Sequence, residues 1–179
     1  MKKNDEFELY ITDMSNEGEG IGHANGMTFF VKDAVVGDFI RAGAMKLKKN
    51  YGYARIIEIL KPSPHRSKAL CKVAARCGGC TLQAMDYSSQ LDFKQKKVMD
   101  ALVRIGGVEK DRFITGADII CEQNADENGR TPKRIQFYDI IGMDVPYHYR
   151  NKGQFPVGCD KAGKAICGFY AKHSHNIVD

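Results

Sequence analysis

Cys71, Cys77, Gly78, Gly79 and Cys80 are the residues of this chain whose types and spacing most directly suggest chemistry. Glycine pairs let a backbone turn tightly, so three thiolates at this spacing can converge on one point. Three soft sulfur donors suit zinc or an iron–sulfur cluster, and thiolate chemistry alone does not separate the two. Either would ordinarily take a fourth ligand, and no neighbouring residue obviously supplies it. A third use is redox. Cys77-Gly-Gly-Cys80 has dithiol spacing, although no thioredoxin-like βαβ pattern surrounds it. Cys121, Cys159 and Cys167 are scattered and read as ordinary packed thiols, with Cys159 and Cys167 held in reserve as ligands. His173 and His175 read as solvated residues of a tail.

The chain that must position these cysteines has 179 residues, enough for one ordinary domain or two small ones. Its apolar and charged fractions, 43% and 27%, are those of a soluble globular protein. No apolar run approaches a membrane span, and Met1-Lys2-Lys3-Asn4-Asp5-Glu6 lacks the apolar centre of a secretory signal. These features predict a cytoplasmic protein without a membrane partner. Reducing cytosol favours metal or redox roles for clustered thiols over disulfides. Charge is segregated along the chain. Residues 4–38 carry eight acids and one base, whereas residues 41–76 carry ten bases and one acid. That basic block, ending at the cysteines, predicts a polyanionic partner, against the alternative of a solvated face.

Residues 1–62 read as a small barrel. Phe7, Leu9 and Ile11 alternate with polar neighbours, as in a half-buried strand. Gly18, Gly20 and Gly22 suggest a sharp turn or bulge, and Asn25-Gly26 a hairpin leading into Met27–Val31. Phe39–Leu47 and Tyr53–Leu60 follow as strands, and several short strands with glycine turns suggest an OB-type barrel. Pro62 and Pro64 end it. Residues 63–85 read as a basic connector holding the three cysteines. Asp86–Ile105 is predicted helical, with Ser89 and Asp92 as a capping box and Leu91, Val98, Leu102 and Ile105 as its apolar face. Glu122–Pro132 is a polar surface loop. Strands are predicted over Arg134–Met143, Tyr147–Val157 and Ala165–Tyr170, the last two joined by a hairpin at Asp160–Lys164. The fold class is thus mainly β with α.

Several segments, taken together and in order, resemble one family. Glu17-Gly18-Glu19-Gly20-Ile21-Gly22, Phe30-Val31 and Ser63-Pro64-His65-Arg66 look like a TRAM domain and its exit. Cys71 through Cys77-Gly78-Gly79-Cys80-Thr81-Leu82-Gln83 to Tyr87, Gln90, Leu91 and Lys94 resembles the iron–sulfur segment of RNA uracil-5-methyltransferases. Pro146-Tyr147, Tyr149-Arg150-Asn151-Lys152 and Gln154-Phe155-Pro156-Val157-Gly158 are similar to that family's central domain. The 23S rRNA (uracil-5-)-methyltransferases are the nearest group.

The resemblance implies an OB-like TRAM barrel followed by an α+β central domain over residues 86–179, incomplete at its C-terminus. It implies rRNA, and not DNA, as the partner. It makes Cys71, Cys77 and Cys80 three of four ligands to a [4Fe-4S] cluster, the fourth expected beyond Asp179, where the chain appears cut. With one ligand missing, the cluster is expected to be lost on aerobic purification.

The family's third part, a Rossmann-like domain that uses S-adenosylmethionine, has no counterpart in residues 1–179. No cysteine falls in its catalytic motif. No catalytic residue is therefore assigned, and the 179 residues alone are expected to be inactive. Candidate RNA contacts are Lys46, Lys48, Lys49 and Arg55 on the barrel, with Tyr51 and Tyr53 available for stacking. Arg150, Lys152 and Gln154 are a second set, placed on one face of the predicted strand. The competing reading is a stand-alone TRAM-type RNA-binding module with a structural zinc.

Overall fold

The computed structural model describes residues 1–116, 119, 134–172 and 174–179. Cys121, His173 and the loop predicted over Glu122–Pro132 lie outside them. The described chain forms two compact units, residues 1–87 with 148–179, and residues 88–147.

The first unit is built on five strands: β1 (Glu6–Met14), β2 (Gly20–Ala24), β3 (Met27–Val31), β4 (Phe39–Leu47) and β5 (Tyr51–Lys61). In β1 the alternation is realised: Leu9 and Ile11 are buried while Glu8, Tyr10 and Thr12 are exposed. The strands close into a barrel in the order β1-β2-β3-β5-β4, with β4 returning to β1. All these pairings are antiparallel except β3 with β5, which is parallel. Leu9, Ile11, Phe29, Val31, Ala34, Ile40, Ala42 and Ala54 fill the interior. Closure removes exposed strand edges, so a barrel of under 60 residues needs no covering layer.

The Asn25-Gly26 hairpin forms as predicted, with both residues in the left-handed region (φ 50° and 73°) that a two-residue primed turn requires. The glycines before it divide between the expected turn and bulge, the β1–β2 register shifting between Ile11 and Asp13, opposite Gly22 and Ile21. Gly20 and Gly22 lie inside β2, and only Gly18, at φ 80°, makes a turn. A Cβ on Gly22 would fall 2.6 Å from the carbonyl oxygen of Tyr10 and 2.7 Å from Leu9 Cγ. These glycines serve close packing of β2 on β1.

In the second unit, α1 (Tyr87–Asp100) continues into a π-helical turn at Ala101–Ile105, closed by the Gly106 N–H on the Ala101 carbonyl at 3.0 Å. The helix begins at Tyr87, so Ser89 falls in its first turn and cannot be the predicted cap. Its predicted apolar face finds little cover: Val98 is 51% exposed and Ile105 82%. Short strands β6 (Phe113–Ile114) and β7 (Ile135–Gln136) pair in parallel. The strands predicted over Arg134–Met143 and Tyr147–Val157 shrink to β7 and to the start of β8 (Val157–Cys159). Residues 137–156 between them form no strand.

The remaining strands belong to the first unit. β8 pairs with β9 (Ala165–Cys167) across the expected turn, where the Asp160 carboxylate accepts N–H bonds from Ala162 and Lys164 at 2.8 and 2.9 Å. β10 (Phe169–Tyr170) pairs with β11 (Ile177–Val178). Among the described residues no helix is long and apolar enough to cross a membrane.

Candidate nucleic-acid interface and cysteine loop

Strand alternation sends Tyr51, Tyr53 and Arg55 outward from β5 while Gly52 and Ala54 are buried. The parallel register sets Thr28 beside Tyr51 and Phe30 beside Tyr53, and the other neighbour of Tyr53 is Lys46 on β4. One aromatic cluster results. The Phe30 ring lies 5.9 Å from Tyr51 and 5.7 Å from Tyr53, and the two tyrosines are 6.0 Å apart. Tyr51 and Tyr53 remain 38% and 36% exposed. Lys46, Lys48, Lys49 and Arg55 are all exposed, so the predicted barrel cations are free to meet an anion and flank this cluster. Phe30 and Lys32 were not predicted as part of this face. Only the parallel pairing of β3 with β5, which no local pattern signals, brings them to it.

Not every cation of the basic block is available. Arg66 donates from Nε to the Asp38 carboxylate at 3.0 Å, from Nη2 to the same carboxylate, and from Nη2 to the Asp33 carbonyl at 2.9 Å. The enclosed Asp38 side chain also accepts the N–H groups of Val35 at 2.7 Å and Ser63 at 2.9 Å. Burial pushes the Asp38 carboxyl up. The Arg66 and backbone hydrogen bonds and the guanidinium charge outweigh it and hold the group below the usual carboxylate range. This latch fastens the exit Ser63-Pro64-His65-Arg66 to the barrel. Lys172 reaches Asp33 at 2.6 Å, and Arg41 pairs with Glu58 at 3.0 Å.

The cysteine segment runs alongside the final strands. The Cys77 N–H donates to the Val73 carbonyl at 2.8 Å, and the Gly78 N–H to Tyr170 at 2.9 Å. Lys172 N–H returns a bond to the Arg76 carbonyl at 2.9 Å, and Cys77 bridges Ala171. The Cys77–Gly78 backbone is therefore laid on the end of β10, which in turn pairs with β11. Glycine is required sterically at the first position, where a Cβ on Gly78 would stand 2.9 Å from the Tyr170 carbonyl oxygen, and Gly79 packs closely, its Cβ position 3.0 Å from the Phe169 ring.

Two of the thiols accept hydrogen bonds. Gly79 N–H reaches Cys77 Sγ at 3.4 Å and Gln83 Nε2 reaches Cys80 Sγ at 3.3 Å. Cys71 and Cys80 are exposed and Cys77 half-buried, and all three are free thiols. Among the described residues, no three His, Cys, Asp or Glu side chains come close enough together to hold a metal ion. The donor chemistry suits a metal, but the three sulfurs do not form a ready cage. Cys159 and Cys167, also free and exposed, sit on the β8–β9 hairpin.

Arg150, Lys152 and Gln154 are exposed but belong to no strand, because residues 147–156 make no ladder pairing and His148 turns the chain at φ 59°. The alternation argument that placed them on one face therefore fails. Arg150 instead lies over the Tyr149 ring, 6.0 Å from its centroid.

With this geometry in hand, likeness to known proteins is informative. The family model of the TRAM domain matches residues 2–57, the barrel without the end of β5. A Clostridium tetani protein named "uncharacterized RNA methyltransferase" is 40% identical over all 179 residues, which span 33% of its length. A Clostridium acetobutylicum protein of the same description is 38% identical over 179 residues, 34% of its length. The Pyrococcus abyssi tRNA (uracil-54, C5)-methyltransferase, solved with S-adenosyl-L-homocysteine, aligns with 56% of this chain and 22% of its own at 29% identity. The TM-score of that match is 0.34. The chain thus spans about a third of the curated relatives it matches. Residues 2–57 match a TRAM domain, and over its whole length the chain is similar to proteins named RNA methyltransferases.

Proposed function

We propose that this chain is the RNA-recognition and iron–sulfur portion of an S-adenosylmethionine-dependent enzyme that methylates C5 of uracil in 23S rRNA, in the cytoplasm. The observation that carries the reading is identity of 36–40% to RNA methyltransferases sustained over all 179 residues, well beyond the TRAM barrel. In this reading Lys46, Lys48, Lys49 and Arg55 meet phosphates from the barrel, and Arg150, Lys152 and Gln154 meet them from residues 86–179, the central α+β portion. Substrate positioning is the work of these residues. Methyl transfer belongs to sequence that these relatives have and residues 1–179 lack.

Cys71, Cys77 and Cys80 would hold a [4Fe-4S] cluster together with one further ligand, after the loop closes to bring the sulfurs together. A cluster so held would act as a covalent cross-link between the connector and its neighbours, with no electron transfer asked of it. The N–H bonds already made to Cys77 and Cys80, and the Gly78–Gly79 fit against β10, support ligation here. A structural zinc is the second reading, favoured by nothing specific beyond the same thiols.

The test is anaerobic purification of the full-length protein, with iron, acid-labile sulfide and zinc assays beside methyl-transfer assays on 23S rRNA. Iron and sulfide are expected, reduced sharply in Cys77→Ser and Cys80→Ser, with 5-methyluridine as the product. Residues 1–179 alone should bind rRNA without methylating it. Stoichiometric zinc without sulfide would replace the cluster reading, and a product methylated elsewhere than uracil C5 would overturn the assignment.

A further inference from the structure

The outer wall of the barrel carries three adjoining hollows. The first, about 480 Å³, is lined by Thr28, Phe30, Asn50, Tyr51 and Tyr53. The second, about 400 Å³, shares Phe30 and Tyr53 with it and adds Lys32, Met45, Lys46 and Glu19. The third, about 500 Å³, shares Lys32 and Met45 with the second and opens toward Arg55, Arg66 and Cys80. Each hollow thus shares side chains with the next, and together they make one track from the aromatic cluster to the cysteine loop.

The chemistry changes along the track. Its first end is rings and small polar groups, with Thr28 Oγ1 held 3.3 Å from His23 Nδ1. Its middle presents the cations Lys32 and Lys46, followed by Arg55. The carboxylates on the route are Glu19 and Asp33, and Asp33 is already engaged by Lys172. Rings at spacings of 5.7–6.0 Å, followed by a file of amines, match what an unpaired nucleic acid strand offers: exposed base faces and a phosphate backbone. A duplex keeps its base faces stacked and cannot use the rings.

We infer that the Phe30/Tyr51/Tyr53 cluster is a stacking platform for an unpaired base of the RNA, and that the strand continues past Lys46 and Lys32 toward Cys80. The bound segment is about four nucleotides, the lower end of what an OB barrel takes. The inference rests on the RNA-binding reading above and narrows it to single-stranded RNA on a defined route.

The chain has eight tyrosines and no tryptophan, so its emission is tyrosine's, and the share of quenching lost in Tyr51→Phe with Tyr53→Phe is that of the platform. Residues 1–179 are titrated with a six-nucleotide single strand, the same strand made abasic, a duplex of the same sequence, and poly-glutamate of matched charge. The single strand should quench emission and bind at least about ten-fold more tightly than the other three. Tyr51→Ala with Tyr53→Ala should cost about ten-fold, while Tyr51→Phe with Tyr53→Phe should retain binding. Lys32→Glu should weaken the hexamer more than a dinucleotide, because only the hexamer reaches the middle of the track. Equal binding of the abasic strand, the duplex or poly-glutamate would overturn the platform, a result that does not depend on any variant folding. If binding to rRNA is salt-sensitive but indifferent to the tyrosines, the platform falls and the broader RNA reading survives. If no RNA binds, both fall.

Discussion

The barrel and the unit of residues 88–147 solve the problem of burying apolar groups in opposite ways. The barrel encloses eight hydrophobic side chains completely enough that Phe29, Ile40 and Ala42 have no exposure, and its strands satisfy one another around a closed ring. Among its described residues the other unit buries Ile114 and Ile119, holds an α1 with no buried residue and strands of two residues, and leaves Ile141 95% exposed. An amphipathic pattern is therefore not sufficient for a core. The barrel has one because its strands pair through long-range contacts that give each apolar face a partner, whereas among the described residues the face of α1 has none of comparable extent.

The largest expected effect that tests this contrast is Phe29→Ala. Removing a fully buried ring from the barrel should cost about 3–5 kcal/mol in urea unfolding followed by far-UV circular dichroism. A loss below 1 kcal/mol would mean that the barrel is not the stable part of the molecule. Next is Arg66→Ala, which leaves the Asp38 carboxylate enclosed without its cation and should cost about 3 kcal/mol. It would show whether the barrel depends on its exit latch as well as on its core.

A pH series isolates the same latch. Asp38 has a depressed folded-state pKa, so its contribution is complete above the ordinary aspartate range near about pH 4 and is lost as pH falls through the folded value. Asp38→Asn should flatten that acid limb, and an unchanged limb would remove Asp38 from the latch. The smallest effects belong to the helix. Val98→Ala should change stability by under about 0.5 kcal/mol. Asp100→Asn, which breaks a 2.8 Å surface pair with Lys96, should cost about 0.3–0.5 kcal/mol. In native-state hydrogen exchange, α1 amides should exchange well before those of β1 and β5. Equal protection would erase the contrast.

Legibility in the sequence followed the range of the interactions. Alternation in β1, the Asn25-Gly26 turn and the Asp160–Lys164 hairpin are local, and each formed where its residues indicated. The expected strand over Tyr147–Val157 failed because strand propensity needs a partner strand, and residues 147–156 have none. Gly18, Gly20 and Gly22 suggested a turn or bulge without dividing the roles, because a glycine needed for close approach looks, in sequence, like one needed for positive φ. Basic residues were countable, but Arg66 could not be separated from Lys46 until Asp38 was found enclosed beside it.

Residue chemistry and short-range pattern alone thus determined that this protein has a small barrel, a basic stretch after it and three cysteines around a Gly-Gly turn. Only the tertiary structure decided which cations stay available, that Phe30 joins Tyr51 and Tyr53, and that the cysteine loop lies on β10. Those outcomes depend on the parallel β3–β5 register and on backbone bonds between residues 76–78 and 170–172. The physical reason is that both bring together segments far apart in the chain, and a local pattern holds no information about which distant segment will pair with it.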